Sequence, residues 1–123
     1  MSTPVRLILA DDHAIFREGL ITLLRQDPEF EIIGEAADGE EAIEMARHTR
    51  PDILIVDVTM PKRSGVEVTA TLAHEMPWLK IVALSMHEHP AMANAMRAAG
   101  ASAYVTKGGS SEALLSLLRD LAV

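Results

Sequence analysis

The sequence contains no cysteine, which excludes a disulfide framework, a thiolate metal centre and thiol catalysis. Aromatic residues are scarce at 3%, so seven methionines together with many alanines and leucines must supply the packing. Positive charge is in deficit as well: 11 basic against 18 acidic residues leave a net charge of −7. A domain this acidic is a poor candidate for gripping nucleic acid through its own phosphate contacts. No apolar run is long enough to span a bilayer, and no charged-then-apolar start resembles a signal peptide. Glycine-rich nucleotide-binding spacings of the G-x-G-x-x-G or Walker A kind are missing too. What is present, in 123 residues, is 49% hydrophobic and 24% charged. That suffices for one globular core, and the expectation is a soluble, cytoplasmic domain, alone or as part of a longer protein.

Five short apolar runs alternate with five longer amphipathic stretches. The runs are Val5 to Ala10, Glu31 to Ala36, Ile53 to Val56, Ile81 to Leu84 and Ala103 to Thr106, and their length and β-branched content favour strands. Between them the apolar spacing changes to that of a helix. Ile15, Phe16, Leu20, Leu23 and Leu24 are expected on the inner face of the first helix, and Ala42, Ile43 and Ala46 on that of the second. Asp38 with Glu41 reads as a capping box, Ser64-Gly65 as the start of a third helix, and Pro90 as the first turn of a fourth that Gly100 ends. Ser110 or Ser111 caps a fifth, with Leu114, Leu117, Leu118 and Leu121 facing inward. Only Met1 to Pro4 is expected to be unstructured.

Alternating strands and helices predict an α/β fold, (βα)5, with a doubly wound parallel sheet. Runs one, three and four are apolar almost throughout, as strands covered on both faces should be, whereas runs two and five are mixed. Mixed runs belong at the edges, which gives the five-stranded order 2-1-3-4-5 and a ligand crevice beyond the C-terminal ends of strands one and three.

At those ends stand Asp11-Asp12, Asp57, Ser85 and Lys107. Three carboxylates at one sheet edge would push at least one pKa up unless compensated. A hard divalent cation such as Mg2+ compensates them, and Lys107 offsets a further part. Either Asp11 or Asp12 alone reads equally as a cap of the first helix; five polar groups on one rim do not reduce to that.

Asp11-Asp12, Asp57 with Met60-Pro61 and Gly65 behind it, Ser85, and Tyr104 three residues before Lys107 together resemble the receiver domain of two-component response regulators, the CheY-like family. The resemblance runs from about Val5 to Leu121, so the whole chain, 1–123, reads as one receiver domain. Ala10-Asp11-Asp12-His13 followed by Arg17-Glu18-Gly19-Leu20 is similar to the NarL/FixJ branch. The resemblance implies Asp57 as phosphoacceptor from a sensor histidine kinase, and Mg2+ held by Asp12, Asp57 and the backbone carbonyl of Thr59, with Asp11 acting through water. It implies Lys107 and Ser85 as partners of the phosphoryl oxygens, and Tyr104 as a rotamer switch. It further implies a homodimer on phosphorylation, no membrane association, and DNA binding only through a C-terminal helix-turn-helix domain. That domain is expected beyond Leu121-Ala122-Val123, where the chain ends on an apolar stripe.

The sequence departs from the family in two places. Gly108 follows Lys107 where many receivers have a proline in a cis bond, and Lys62-Arg63 occupy a loop usually small or acidic, reading either as solvated side chains or as a steering patch for an anionic donor. His13, His48 and His74 are expected at the surface, His87 and His89 as exposed loop residues, and Trp78 as a lid over the lower edge of the sheet. The Met86, Met92 and Met96 set reads as core before interface. Two other functions fit parts of this pattern. A haloacid-dehalogenase-like phosphohydrolase also phosphorylates an aspartate at a strand end but needs a second acid where this chain has Thr59. A phosphorylation-independent dimerisation module would not need the acidic set at all.

Overall fold

Parallel pairing of five strands sets the architecture of the computed structural model, which describes residues 3–122. The elements run β1 (Val5–Ala10), α1 (Ala14–Arg25), β2 (Phe30–Ala36), α2 (Gly39–Thr49), β3 (Ile53–Asp57), α3 (Gly65–Glu75), β4 (Lys80–Ser85), α4 (Pro90–Ala99), β5 (Ala103–Thr106) and α5 (Ser111–Ala122). The sheet order is β2-β1-β3-β4-β5, as the distribution of apolar runs predicts. Of the segment expected to be irregular, Thr3 and Pro4 are exposed and outside any element, while Met1 and Ser2 lie outside the described residues.

Two cores follow from the period-2 alternation of the central strands. Leu7, Leu9, Ile53, Ile55, Val82 and Leu84 point to one side and meet Leu20, Ile21 and Leu24 of α1 and Leu118 of α5. Ile8, Ala10, Leu54, Val56, Ile81 and Ala83 point to the other and meet Ala42, Ile43 and Ala46 of α2, Val68 and Leu72 of α3, and Met96 of α4. Most of these strand side chains are fully buried; shortening one, as in Leu54→Ala, costs about 2–5 kcal/mol. A register shift between Leu7 and Ile8 marks the β1–β2 pairing, so only the edge partner carries an irregularity.

Helix ends follow local chemistry. Asp38 accepts from Glu41 N at 2.9 Å, but Glu41 accepts from Ala37 N, one residue beyond the N-cap N–H that would close the expected box. Ser64 and Glu67 form the full reciprocal box of α3. Ser110 caps α5 through Ala113 N, and Gly100 ends α4 at φ 118°. His89, read from sequence only as an exposed loop residue, caps α4 by accepting from Met92 N.

One expected core residue is outside. Ile15 is 88% exposed. Nine residues, about two and a half helical turns, separate it from Leu24, so the two stand on opposite sides of α1, and Ile21 takes the buried place instead. On α5 only Leu118 is fully buried, with Leu114, Leu117 and Leu121 partly covered. The methionines divide: Met96 is buried, Met92 packs partly against the core and Met86 is exposed. Trp78 at the N-terminal end of β4 is half exposed, with the Arg50 guanidinium 4.4 Å above its ring.

Candidate functional site

Backbone hydrogen bonds continue past the strand ends and fix the groups that stand there. Asp11 N donates to Ala36 O, Val58 N to Leu84 O, and Lys107 N to Ser85 O. The side chains of Asp11, Asp57 and Lys107 therefore hang from extensions of three ladders rather than from free loops. Behind Asp57, α3 begins so close to β3 that a Cβ on Gly65 would lie 2.4 Å from the Asp57 carbonyl oxygen, and Gly65 N donates to Val58 O. Only glycine permits that approach.

The acidic groups meet as the strand order requires. Asp11 and Asp57 are buried, Asp12 is more open, and their carboxylates gather with His13 so that one ligand atom from each of the four lies within 4.8 Å of the others. Lys107 reaches into this group with its side chain 4% exposed. Its Nζ lies 2.7 Å from Asp11 Oδ2, 3.2 Å from Asp57 Oδ2 and 3.0 Å from His13 Nδ1. The face of Phe16 lies 4.8 Å from the same ammonium. Asp57 Oδ1 accepts from Thr59 N at 3.2 Å, and Asp11 Oδ1 accepts from His13 N at 2.8 Å.

These surroundings drive the two buried carboxyls apart. Burial pushes the Asp57 pKa up, the Asp11 charge adds to the rise, and the Thr59 N–H and Lys107 offset it only in part. Burial acts on Asp11 in the same sense, but the Lys107 ammonium and the His13 N–H outweigh it and hold the Asp11 carboxyl below the usual carboxylate range.

The donor set fits a hard divalent cation. Three carboxylates converge, and Asp11 Oδ2 is buried without a directed hydrogen bond, its contact with Lys107 being ionic. Such an oxygen is what Mg2+ or the water around it binds. Thr59 is two residues beyond Asp57 and turns its N–H onto that carboxylate.

The remaining expected residues lie in or just beyond β3, β4 and β5. Ser85, at the end of β4, donates its hydroxyl to the His87 carbonyl at 2.9 Å, and Tyr104 OH donates to the same oxygen at 3.2 Å. Lys62 adopts φ 68° and lies 3.6 Å from Asp38. The Lys107–Gly108 bond is trans, as are all peptide bonds among the described residues.

His13 is exposed, as expected of the surface histidines, and its ring also reaches the pocket. Besides Lys107, Nδ1 lies 3.2 Å from Asp11 Oδ1, 3.6 Å from Asp12 Oδ1 and 3.5 Å from Asp57 Oδ2. The available signal was its position directly after Asp11-Asp12 and ahead of α1. Arg17 was also missed. Its guanidinium, one helical turn further on, donates to the Asp11 carbonyl and pairs with Glu35 of β2 at 3.3 Å, tying the aspartate-bearing turn to the sheet edge.

Comparison with known proteins agrees with this geometry. The profile of the response regulator receiver domain matches residues 7–119. The transcriptional regulatory protein DegU of Brevibacillus brevis is 35% identical over 118 residues, covering 96% of this chain and 50% of DegU. The response regulator UvrY of Escherichia coli (strain K12) is 32% identical over 118 residues, covering 95% of this chain and 54% of UvrY. The chain thus spans about half the length of these relatives. Among solved structures, the signal receiver domain of NarL from Mycobacterium tuberculosis superposes with a TM-score of 0.94 at 28% identity, covering 98% of both chains.

Proposed function

The chain belongs to the response regulator receiver domain family, and on that premise we propose that it is a switch set by phosphorylation of Asp57. The observation that carries the proposal is the convergence of Asp11, Asp12 and Asp57 on the Lys107 ammonium. A carboxylate oxygen of Asp57 attacks phosphorus, the bond from phosphorus to the donor breaks, and the electron pair leaves with the donor. Donors of suitable chemistry are a phosphohistidine on a sensor histidine kinase and a small acyl phosphate. Such transfer asks for positioning and charge neutralisation more than for covalent assistance.

Each residue has a part in that reading. Lys107 pairs with a phosphoryl oxygen, and Ser85 turns its hydroxyl from the His87 carbonyl to another. Asp12, Asp57 and the Thr59 carbonyl would hold Mg2+, with Asp11 acting through water. When bound, the cation neutralises charge on the transferring group. Phosphorylation adds about −1.5 to −2 charges, and the bonds drawn from Ser85 and Lys107 bias the β4–β5 edge, with Tyr104 following the Ser85 turn.

The wider biology is also a proposal. DegU and UvrY are each about twice the length of this chain, and DegU is a transcriptional regulatory protein. By analogy this domain acts in the cytoplasm under a sensor kinase, pairs as a homodimer when phosphorylated, and controls transcription through a DNA-binding domain on the same polypeptide. It acts as a switch and does not turn over external substrates. Among the described residues no helix is long and apolar enough to cross a membrane.

Intact mass spectrometry after incubation with Mg2+ and acetyl phosphate tests the core of the reading. The wild-type chain gains one phosphoryl group, labile to hydroxylamine, and Asp57→Ala gains none. Equal labelling of that variant would overturn the assignment.

A further inference from the structure

The phosphorylation reading gives no role to His13, although its ring is within 3.6 Å of all three carboxylates. Nδ1 is the ring atom that faces them. Toward the Lys107 ammonium at 3.0 Å Nδ1 can only accept and toward Asp11 Oδ1 at 3.2 Å it can only donate, so in the tautomer protonated at Nε2 the Nδ1 lone pair points into the pocket. The spacing is also that of ligands around a single ion. Two donors each about 2.0–2.1 Å from a tetrahedral metal lie roughly 3.3 Å apart, and Nδ1 lies 3.2, 3.5 and 3.6 Å from oxygens of Asp11, Asp57 and Asp12. Lys107 Nζ already occupies the place of a shared cation, in contact with Asp11, Asp57 and His13 together. Asp11 Oδ2 is wholly buried and faces the same point, with the Lys107 ammonium 2.7 Å away as its ionic partner.

We propose that His13 Nδ1 is a further protein ligand of the pocket, one that engages divalent transition ions of the cobalt and zinc class and stays idle toward Mg2+. The inference rests on the reading of Asp11, Asp12 and Asp57 as the carboxylates of a cation site. Mg2+ prefers oxygen and keeps its waters, whereas imidazole nitrogen suits the borderline ions. His13 then sets which ion the pocket prefers, while the carboxylates set whether it holds one. His13 stands at the N-cap of α1 but makes no side-chain capping bond, and its side chain is 55% exposed.

The test is a pair of titrations of the metal-stripped chain, Co2+ followed by visible absorption and Mg2+ by calorimetry, on wild type, His13→Ala and Asp57→Asn. His13→Gln is the second variant should circular dichroism show the alanine form unfolded. Expected is a loss of about tenfold or more in Co2+ affinity without the imidazole, a changed Co2+ spectrum, and Mg2+ affinity within twofold of wild type. Equal Co2+ affinity in wild type and the His13 variants, or equal proportional losses for both ions, overturns the role of His13. If Asp57→Asn still weakens both ions in that case, the cation-site reading survives. If Asp57→Asn weakens neither, that reading falls as well, and the inference with it.

Discussion

Ser85 and Tyr104, from neighbouring strands, donate to one acceptor, the His87 carbonyl oxygen, at 2.9 and 3.2 Å. A carbonyl has two lone pairs and can serve both hydroxyls. The β4–α4 turn is therefore held by two donors that lose their partner together if it moves. Ser85→Ala and Tyr104→Phe should each cost about 0.5–1.5 kcal/mol in urea unfolding. Their double variant should depart from the sum by about 0.5 kcal/mol or more. Strict additivity would show that the shared oxygen does not couple them.

Lys107 is the cation nearest both buried carboxylates. Lys107→Ala strands them, and the expected loss is roughly 3–5 kcal/mol, the cost of a buried charge left without its partner. Adding Asp57→Asn to Lys107→Ala should restore part of that loss. A double variant no more stable than the single one would count against charge as the cause.

Asp57 gives a pH dependence of definite sign. Its folded pKa lies above its unfolded one because of burial and the Asp11 charge. The stabilisation linked to its proton is complete below the unfolded value and is lost as pH rises through the folded value. In chelator-treated protein, Asp57→Asn should therefore melt above wild type at neutral pH, with a gap that narrows toward pH 4. Asp11, held down by Lys107 despite its burial, contributes in the opposite sense and loses its stabilisation as pH falls; it is common to both proteins. A gap that widens on acidification would reverse the sign and refute the account.

Gly65→Ala places a methyl 2.4 Å from the Asp57 carbonyl oxygen and 2.7 Å from the Val58 Cα. Backbone cannot swing aside as a side chain can, so α3 must retreat from β3. The expected cost is about 1–3 kcal/mol, the range for overpacking, with slower acetyl phosphate labelling because the segment carrying Asp57 shifts. Wild-type stability and labelling in this variant would mean that the gap relaxes freely.

Much of the fold was legible because burial on two faces leaves a mark on composition. β1, β3 and β4 are apolar almost throughout and occupy the centre; Glu31 and Glu35 mark β2 as an edge. Once the order is known, the meeting of Asp11, Asp12 and Asp57 follows from the adjacency of β1 and β3, and Lys107 reaches them from beyond β5 across the end of β4. Side-chain direction was harder to read. Grouping Ile15 with Leu24 overlooked the half turn between them, and an apolar type alone does not reveal it. His13 and Arg17 were missed for a related reason: what gives each its place is a contact with another element, to Lys107 beyond β5 and to Glu35 on β2. The position of His13 directly after Asp11-Asp12 hints at the first, and a linear pattern carries no trace of the second.

The stacked pair at the opposite end of the sheet has a practical consequence. Trp78 is the only tryptophan of the chain, and the length of β4, about 20 Å at 3.3 Å per residue, separates it from the carboxylates. Its emission, shaped by the guanidinium of Arg50, is an intrinsic optical gauge of whether the molecule as a whole is intact. Loading of the distant pocket should leave that signal dark to change, so one spectrum can register unfolding without confusing it with occupancy.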